Sequence, residues 1–294
     1  MVWPKGEQTR PMSFTTILYD TSDQVARITL NRPERLNAMN QLMLDDIGHA
    51  LDDAERDAGV RVVLVTGAGS AFSSGFDLKE QMDNRPTGTA QWRDILRRDF
   101  DTIMRFWRFP KPTIATVRGA CLAGACELAM ACDITIAAED AFFGEPELKF
   151  GAGIVAMILP WMVGPKRAKE IIFSGEDRIA ASRARDIGMV NRVVPSADLD
   201  AEGLALARHI AVVDPDLMRQ TKRAINQACE ARSMAEALSA ALDIDLEIEG
   251  AGSPDKIAFM DVARREGLRA AIAWRDARFA SACSGEVVTG SPTR

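Results

Sequence analysis

Three stretches of this sequence hold residue types and spacings able to do chemistry together. In the first, Arg118-Gly119-Ala120-Cys121-Leu122-Ala123-Gly124-Ala125-Cys126-Glu127, the small residues suit the tightly packed start of a helix. Backbone N–H groups at a helix N-terminus lack intrahelical partners and carry the positive end of the dipole, so Gly124 is a natural donor to a developing oxyanion. Glu127 follows three residues on, hence on the same helix face. A lone first-turn glutamate is ordinary dipole chemistry, but the Ala, Cys, Leu and Met residues around Glu127 argue that this helix is buried. In the second stretch, Phe143-Gly144-Glu145-Pro146-Glu147, Pro146 opens a short helix with Glu147 in its first turn, which taken alone is ordinary capping. In the third, which runs from Gly67 to Lys79, a turn forced by Gly75 would point a backbone N–H, that of Phe76, into a pocket; a plain structural turn is the alternative. Two glutamates at buried helix starts beside a pair of N–H donors fit acid/base chemistry on a carbonyl compound. The donors hold the developing enolate while the carboxylates hold a water and move protons. Like charges held close push their pKa values apart, giving one proton donor and one acceptor.

Composition supports carboxylate chemistry. The 294 residues are 47% hydrophobic and 27% charged, as in a soluble globular protein, and they contain only two histidines, His49 and His209, both outside these stretches. The net charge of -6 argues against a nucleic-acid partner. Five cysteines, with no CxxC pair and no histidine at zinc-ligand spacing, read as buried free thiols, and no metal is expected. The apolar window 119–138 is long enough to span a bilayer, but Glu127 and Asp133 within it make it a core segment and leave no membrane partner. Residues 1–12 are too polar for a secretory signal, so a cytoplasmic location is expected. The pattern Gly67-Ala68-Gly69 after a strand invites a dinucleotide fingerprint. The third glycine position is Phe72, however, and no second strand ending in an acid follows at the required distance.

Those residues need elements to hold them. Short β-rich runs at 25–30, 61–66, 113–117, 134–137 and 190–194 alternate with helical patterns, which implies an α/β fold with a mostly parallel sheet and ligands gathered at strand C-terminal ends. Leu36, Met39, Met43, Ile47, Leu51 and Ala54 form one apolar helical stripe. From Pro146 the pattern is almost all helical, with candidates at 165–173, 180–187, 201–213 and 215–232. A further helix is capped by Ser253 and broken at Gly267. Residues 83–89 look like a surface loop. The expected organisation is a core over 12–200, a helical region over 201–280, and unstructured ends at 1–11 and 281–294.

Taken together, the motifs resemble the enoyl-CoA hydratase/isomerase, or crotonase, family. The resemblance runs from Phe14 to Phe279 through Asn31-Arg32-Pro33 with Asn37-Ala38, then Ala71-Phe72-Ser73-Ser74-Gly75-Phe76-Asp77-Leu78-Lys79. It continues from Gly119 through Glu127 to Cys132-Asp133, into Phe143-Gly144-Glu145-Pro146-Glu147, and on to Gly188-Met189-Val190 and Glu266-Gly267. It implies a spiral of ββα turns with C-terminal helices, assembled as a homotrimer or a dimer of trimers. It also implies an acyl-CoA thioester substrate whose carbonyl oxygen lies between the N–H groups of Phe76 and Gly124, with Ser74 and Lys79 along the CoA. A surface lysine is the alternative for Lys79. No separate cofactor is implied, since CoA belongs to the substrate.

Family members share the oxyanion hole and differ in their acid/base residues. Both glutamate positions that resemble those of the hydratases are filled, by Glu127 and Glu147. The resemblance therefore implies that Glu127 activates water for attack at C3 of a 2-enoyl-CoA and Glu147 delivers a proton to C2. Branches that rely on histidine with aspartate, or on tyrosine, fit poorly, because neither histidine lies in a motif and Tyr19 is the single tyrosine. An isomerase, a thioester hydrolase or a decarboxylase remains the second reading, and a silent or RNA-binding relative the third. Val155 stands where a glycine is usual, so it could line the acyl pocket with Met157, Met82 and Trp92, although core packing is the ordinary role for each.

Overall fold

The computed structural model describes residues 14–230, 233–251 and 253–284. Strands β1 (Ile17–Ser22) and β2 (Val25–Leu30) form a hairpin whose two loop residues, Asp23 and Gln24, both have positive φ, as a two-residue loop matched to the strand twist requires. Helix α1 (Gln41–Arg56) leads to β3 (Val62–Gly67), and α2 (Leu78–Asn84) with α3 (Gly88–Arg108) leads to β4 (Thr113–Val117). Then come β5 (Ala120–Leu122), α4 (Gly124–Ala131), β6 (Ile134–Ala138) and β7 (Phe142–Gly144). A 3₁₀ turn at Glu147–Phe150 precedes α5 (Leu159–Val163), α6 (Pro165–Ser174), β8 (Ile179–Ala180), α7 (Ala181–Asp186) and β9 (Arg192–Val194). The described chain ends in helices α8 (Leu199–Ala211), α9 (Pro215–Glu230), α10 (Met234–Ala251), α11 (Pro254–Glu266) and α12 (Leu268–Ser284).

The large sheet has the order β1-β2-β3-β4-β6-β9 and is parallel after the first hairpin. A second, smaller sheet, β5-β7-β8, is prolonged by single bridges from Ser73 to Cys121 and from Met39 to Phe76. Each turn of the chain thus places a strand in the large sheet, then a short pairing in the small one, then a helix. This is the expected α/β spiral of ββα turns with a helical C-terminal region. Side chains alternate across the large sheet. Ile28, Val63, Val65 and Val117 face the main core with α1, α3 and α4, while Val62, Leu64, Ile114 and Ile136 pack against Leu199 and Ala207 of α8.

The expected strands are all present. Two expectations need correction. Leu36 and Met39 are not on the α1 stripe: Leu36 has φ 49 and is 48% exposed, Met39 is buried in a bridge to Phe76, and the helix begins only at Gln41 behind the Asn40 cap, whose side chain accepts the Met43 N–H at 3.0 Å. Nor is 83–89 one loop, because α2 and α3 leave only residues 85–87 between them. The unstructured ends expected at 1–11 and 285–294 lie outside the described residues, and α12 continues through 281–284.

Asn37 explains the break before α1. It is fully buried at φ 53, a conformation asparagine tolerates better than most residues. Its Nδ2 donates to the carbonyls of Ala68 and Ala71 at 2.8 Å and of Phe72 at 3.1 Å, and its Oδ1 accepts the Arg32 N–H at 2.9 Å. One side chain therefore ties the β2 exit to the loop after β3. Asn37→Ala is expected to cost about 2–4 kcal/mol of stability, because it leaves buried backbone groups unpaired, and urea unfolding measures it.

Candidate active site

The loop after β3 and the loop after β5 meet at Gly75. The Met39 N–H donates to the Gly75 carbonyl at 2.8 Å, and the Asp77 N–H donates to the Met39 carbonyl at 3.0 Å. In a parallel bridge this turns the N–H of the intervening Phe76 to the opposite side, toward the start of α4. Gly75 has φ +94, and a Cβ on it would lie 2.8 Å from Ala123 Cβ, 2.9 Å from the Leu122 carbonyl oxygen and 3.5 Å from Gly124 N. Only glycine allows that approach. Gly124 is the first residue of α4, preceded by Ala123 at φ 54 and ψ -135, a strained conformation for a residue with a Cβ. The Ala123 carbonyl accepts from the Cys126 and Glu127 amides. Among the described residues neither the Phe76 nor the Gly124 N–H has a hydrogen-bond acceptor, and the Phe76 ring lies against Gly124. The two predicted donors are thus brought together on adjoining loops.

The two predicted carboxylates converge as well, and a third joins them. All of α4 is buried, and Glu127, 1% exposed, accepts the Ala156 N–H on Oε2 at 3.1 Å. Glu145 and Glu147 flank Pro146 and are also buried. Oxygens of Glu127, Glu145 and Glu147 lie within 4.8 Å of one another. Glu127 Oε1, Glu147 Oε2 and both Glu145 oxygens have no hydrogen-bond partner among the described residues. Burial, together with the charge of Glu147, raises Glu127 and Glu145 well above the usual carboxylate range. Burial raises Glu147 to about 8. Three carboxyl groups this close and this buried resist ionising together. Three carboxylates so placed are also the group of described residues that could hold a metal ion, but protons held this firmly compete with any cation. Glu145 was not singled out in the sequence because a single glutamate beside proline reads as capping; the Glu145-Pro146-Glu147 repeat is the signal that could have found it.

Glu145 is a burden on the fold. Its folded pKa lies above the unfolded value of 4.5, so its proton stabilises the folded state below that value and the advantage is lost as pH rises. Glu145→Gln is expected to raise stability by about 1–3 kcal/mol at pH 8 and by less at pH 5, a difference that denaturant titrations at the two pH values measure.

A cavity of about 480 Å³ opens beside these groups. Its lining includes Phe76, Ala123 and Glu147 together with Ser74, Lys79, Trp92 and Val155. Lys79 is half exposed and pairs with Asp83 at 2.7 Å. Asp77 holds this loop: it caps α2 by accepting the Lys79 and Glu80 amides and pairs with Arg32 at 2.8 Å. Met82 and Met157 pack into hydrophobic clusters instead of lining the cavity, and both histidines are exposed on outer helices. Cys121, Cys126 and Cys132 are buried free thiols, while Cys229 is half-buried; the side chain of Cys283 lies outside those described. The sequence reading also missed the acids Asp99, Asp245 and Glu249 in the cavity wall, on helices α3 and α10. Helix α3 had not been expected, and α10 lies in the region expected to be helical without having been placed there as a helix of its own. Asp245 and Glu249 are four apart, but they stand in a stretch where acids alternate with aliphatic residues, Asp243-Ile244-Asp245-Leu246-Glu247-Ile248-Glu249, so spacing alone did not mark which acids turn inward.

No helix of the described residues is long and apolar enough to cross a membrane. Residues 20–249 match the family described as Enoyl-CoA hydratase/isomerase. A Mycobacterium tuberculosis protein described as a probable enoyl-CoA hydratase is 36% identical over 237 residues, covering 77% of this chain and 87% of that one. The short-chain-enoyl-CoA hydratase of Clostridium acetobutylicum is 34% identical over 225 residues, covering 74% and 84%. The crystal structure of an enoyl-CoA hydratase/isomerase from Xanthobacter autotrophicus Py2 superposes with a TM-score of 0.90 at 69% identity, covering 90% of this chain and 99% of that one. With the ββα spiral, the paired amides and this extent of similarity, the chain belongs to the enoyl-CoA hydratase/isomerase, or crotonase, family.

Proposed function

We propose that this protein is an enoyl-CoA hydratase. The observation that carries the reading is the placement of Glu127 and Glu147 within one buried carboxylate group beside the unpaired Phe76 and Gly124 amides. The thioester oxygen sits between those two N–H groups, which stabilise the negative charge that develops on it. Water, held by the glutamates, forms a bond to C3 while Glu127 takes its proton. The π electrons of the double bond move toward C2 and the thioester, and the Glu147 proton is delivered to C2. Glu127 then carries the proton that Glu147 has lost, and transfer within the carboxylate group resets the site. Ser74 and Lys79 lie along the CoA, which arrives with the substrate, so no separate cofactor is needed. We further propose that the enzyme is cytoplasmic, and that the helical region 201–280 serves assembly into a homotrimer or a dimer of trimers. The exposed Leu217, Ile225 and Ile244 on α9 and α10 suit that role, and light scattering tests it.

Incubation of the purified protein with 2-enoyl-CoAs of differing acyl groups tests the reaction through loss of the conjugated thioester absorbance. Hydration is expected. Glu147 must enter protonated and Glu127 ionised, so kcat is expected to fall as pH rises through about 8 and to fall again toward acid as Glu127 takes up a proton, which a pH–rate profile checks. One observation favours a second reading: Glu147 lines the cavity, whereas Glu127 lies behind it, an arrangement that suits isomerisation by one carboxylate. Conversion of 3-enoyl-CoAs without hydration of any 2-enoyl-CoA would establish the isomerase and overturn the hydratase.

A further inference from the structure

The wall of the cavity formed by α3 and α10 carries more acid than the proposed reaction uses. Glu249 is neutralised by an ion pair with Lys256, whose ammonium lies 4.0 Å from the centre of the Trp92 ring. Asp99 is 1% exposed and, among the described residues, accepts one hydrogen bond, from the Gln41 side-chain N–H at 3.0 Å. Asp245 is 2% exposed, and neither of its oxygens has a hydrogen-bond partner among the described residues. Its carboxylate abuts Gly153, where any Cβ would overlap Oδ1. Gly153 belongs to the loop after Glu147 that also supplies the Ala156 N–H to Glu127. Asp245 lines the same cavity as Asp99 and Glu147, and burial raises it to about 6 against the pull of Lys256.

Around these acids the lining is apolar, with Leu96, Phe150, Val155 and Ile272. A plain alkyl chain would fill that space and leave Asp245 buried without a donor. A site that keeps a buried acceptor unpaired discriminates strongly in favour of a ligand that pairs it. We propose that Asp245, with Asp99 beside it, is an acceptor site for a hydrogen-bond donor on the acyl chain beyond the reacting carbons, so that the enzyme selects enoyl-CoAs bearing a hydroxyl or an ammonium group. The reaction named here rests on the hydratase reading; the donor site does not.

The test compares matched enoyl-CoAs of equal length that end in a methyl, a hydroxyl or an ammonium group, through kcat/KM for hydration. In parallel, calorimetry gives Kd for the corresponding saturated acyl-CoAs. The wild-type enzyme is expected to favour a donor-bearing chain by about tenfold or more in both measurements. In Asp245→Leu, checked for folding by circular dichroism, that preference is expected to vanish or reverse toward the methyl chain. In Asp245→Asn, a preference for hydroxyl is expected to survive and one for ammonium to fall, which separates the two donors. Equal kcat/KM and Kd for all three chains in the wild type, or an unchanged preference in Asp245→Leu, would overturn the donor site. If no enoyl-CoA were hydrated, the hydratase reading would fall, while the Kd series would still decide the donor site.

Discussion

Glu147→Gln and Glu127→Gln are each expected to lower kcat for hydration by about a hundredfold or more, the scale of a lost general acid or base. Glutamine has nearly the shape of a protonated glutamic acid, so both variants should fold. Removing one of three carboxylates that crowd within 4.8 Å should raise stability, which excludes misfolding as the cause of lost activity. The two losses should also differ in pH dependence. In Glu127→Gln the decline above about pH 8 should persist in the residual rate, because Glu147 still carries its proton. In Glu147→Gln that limb should flatten. Steady-state rates across pH, with thermal unfolding of each variant, check both statements. Normal turnover by either variant would remove that residue from the mechanism. Glu145→Gln is the internal control: it removes a carboxylate from the same group but should keep kcat within about tenfold, since residues that position others contribute less than those that transfer the proton.

Gly75→Ala is expected to lower kcat by about a hundredfold while KM changes little, the signature of a lost interaction made in the transition state. The added Cβ meets two obstacles at once. At φ +94 the backbone is strained for any residue with a side chain, and the methyl would approach Ala123 Cβ at 2.8 Å and the Leu122 carbonyl oxygen at 2.9 Å. Both neighbours belong to the loop that ends in Gly124, so relief requires the two donor loops to separate. Donors aimed at a developing charge lose most of their effect over such a displacement. Stability should fall too, by about 1–3 kcal/mol, because the contact also joins the small sheet to α4. Parallel kinetic and unfolding measurements test this, and unchanged kcat in a folded variant would show that the Phe76 and Gly124 amides do not act as a pair.

The ββα spiral came with the family resemblance, while the amino-acid order alone carried the α/β alternation, the places of the strands and the motifs on which Phe76, Gly124, Glu127 and Glu147 stand. Each depends on a local signal: β-branched alternation for 25–30 and 113–117, a glycine turn at Gly75, and a small-residue helix start at Gly124 with Glu127 one turn inside. Helix α11 likewise follows from Ser253, which caps it, and Gly267, which ends it. Where a local pattern met a long-range demand, the pattern misled. Leu36 fits the α1 stripe, yet the buried hydrogen bonds of Asn37 hold that segment out of the helix. Helices α3 and α10 form the wall of the cavity by packing on each other, and no single window of sequence contains that contact. The opposition of Asp245 to Gly153 joins residues far apart in the chain, and the upward shifts of Glu127, Glu145 and Glu147 arise from water excluded by the whole core. Turns and caps are decided by neighbouring residues and so are legible in order; burial, and the proton affinity it sets, belongs to the packed chain, and only the tertiary structure decides which acids share one cavity.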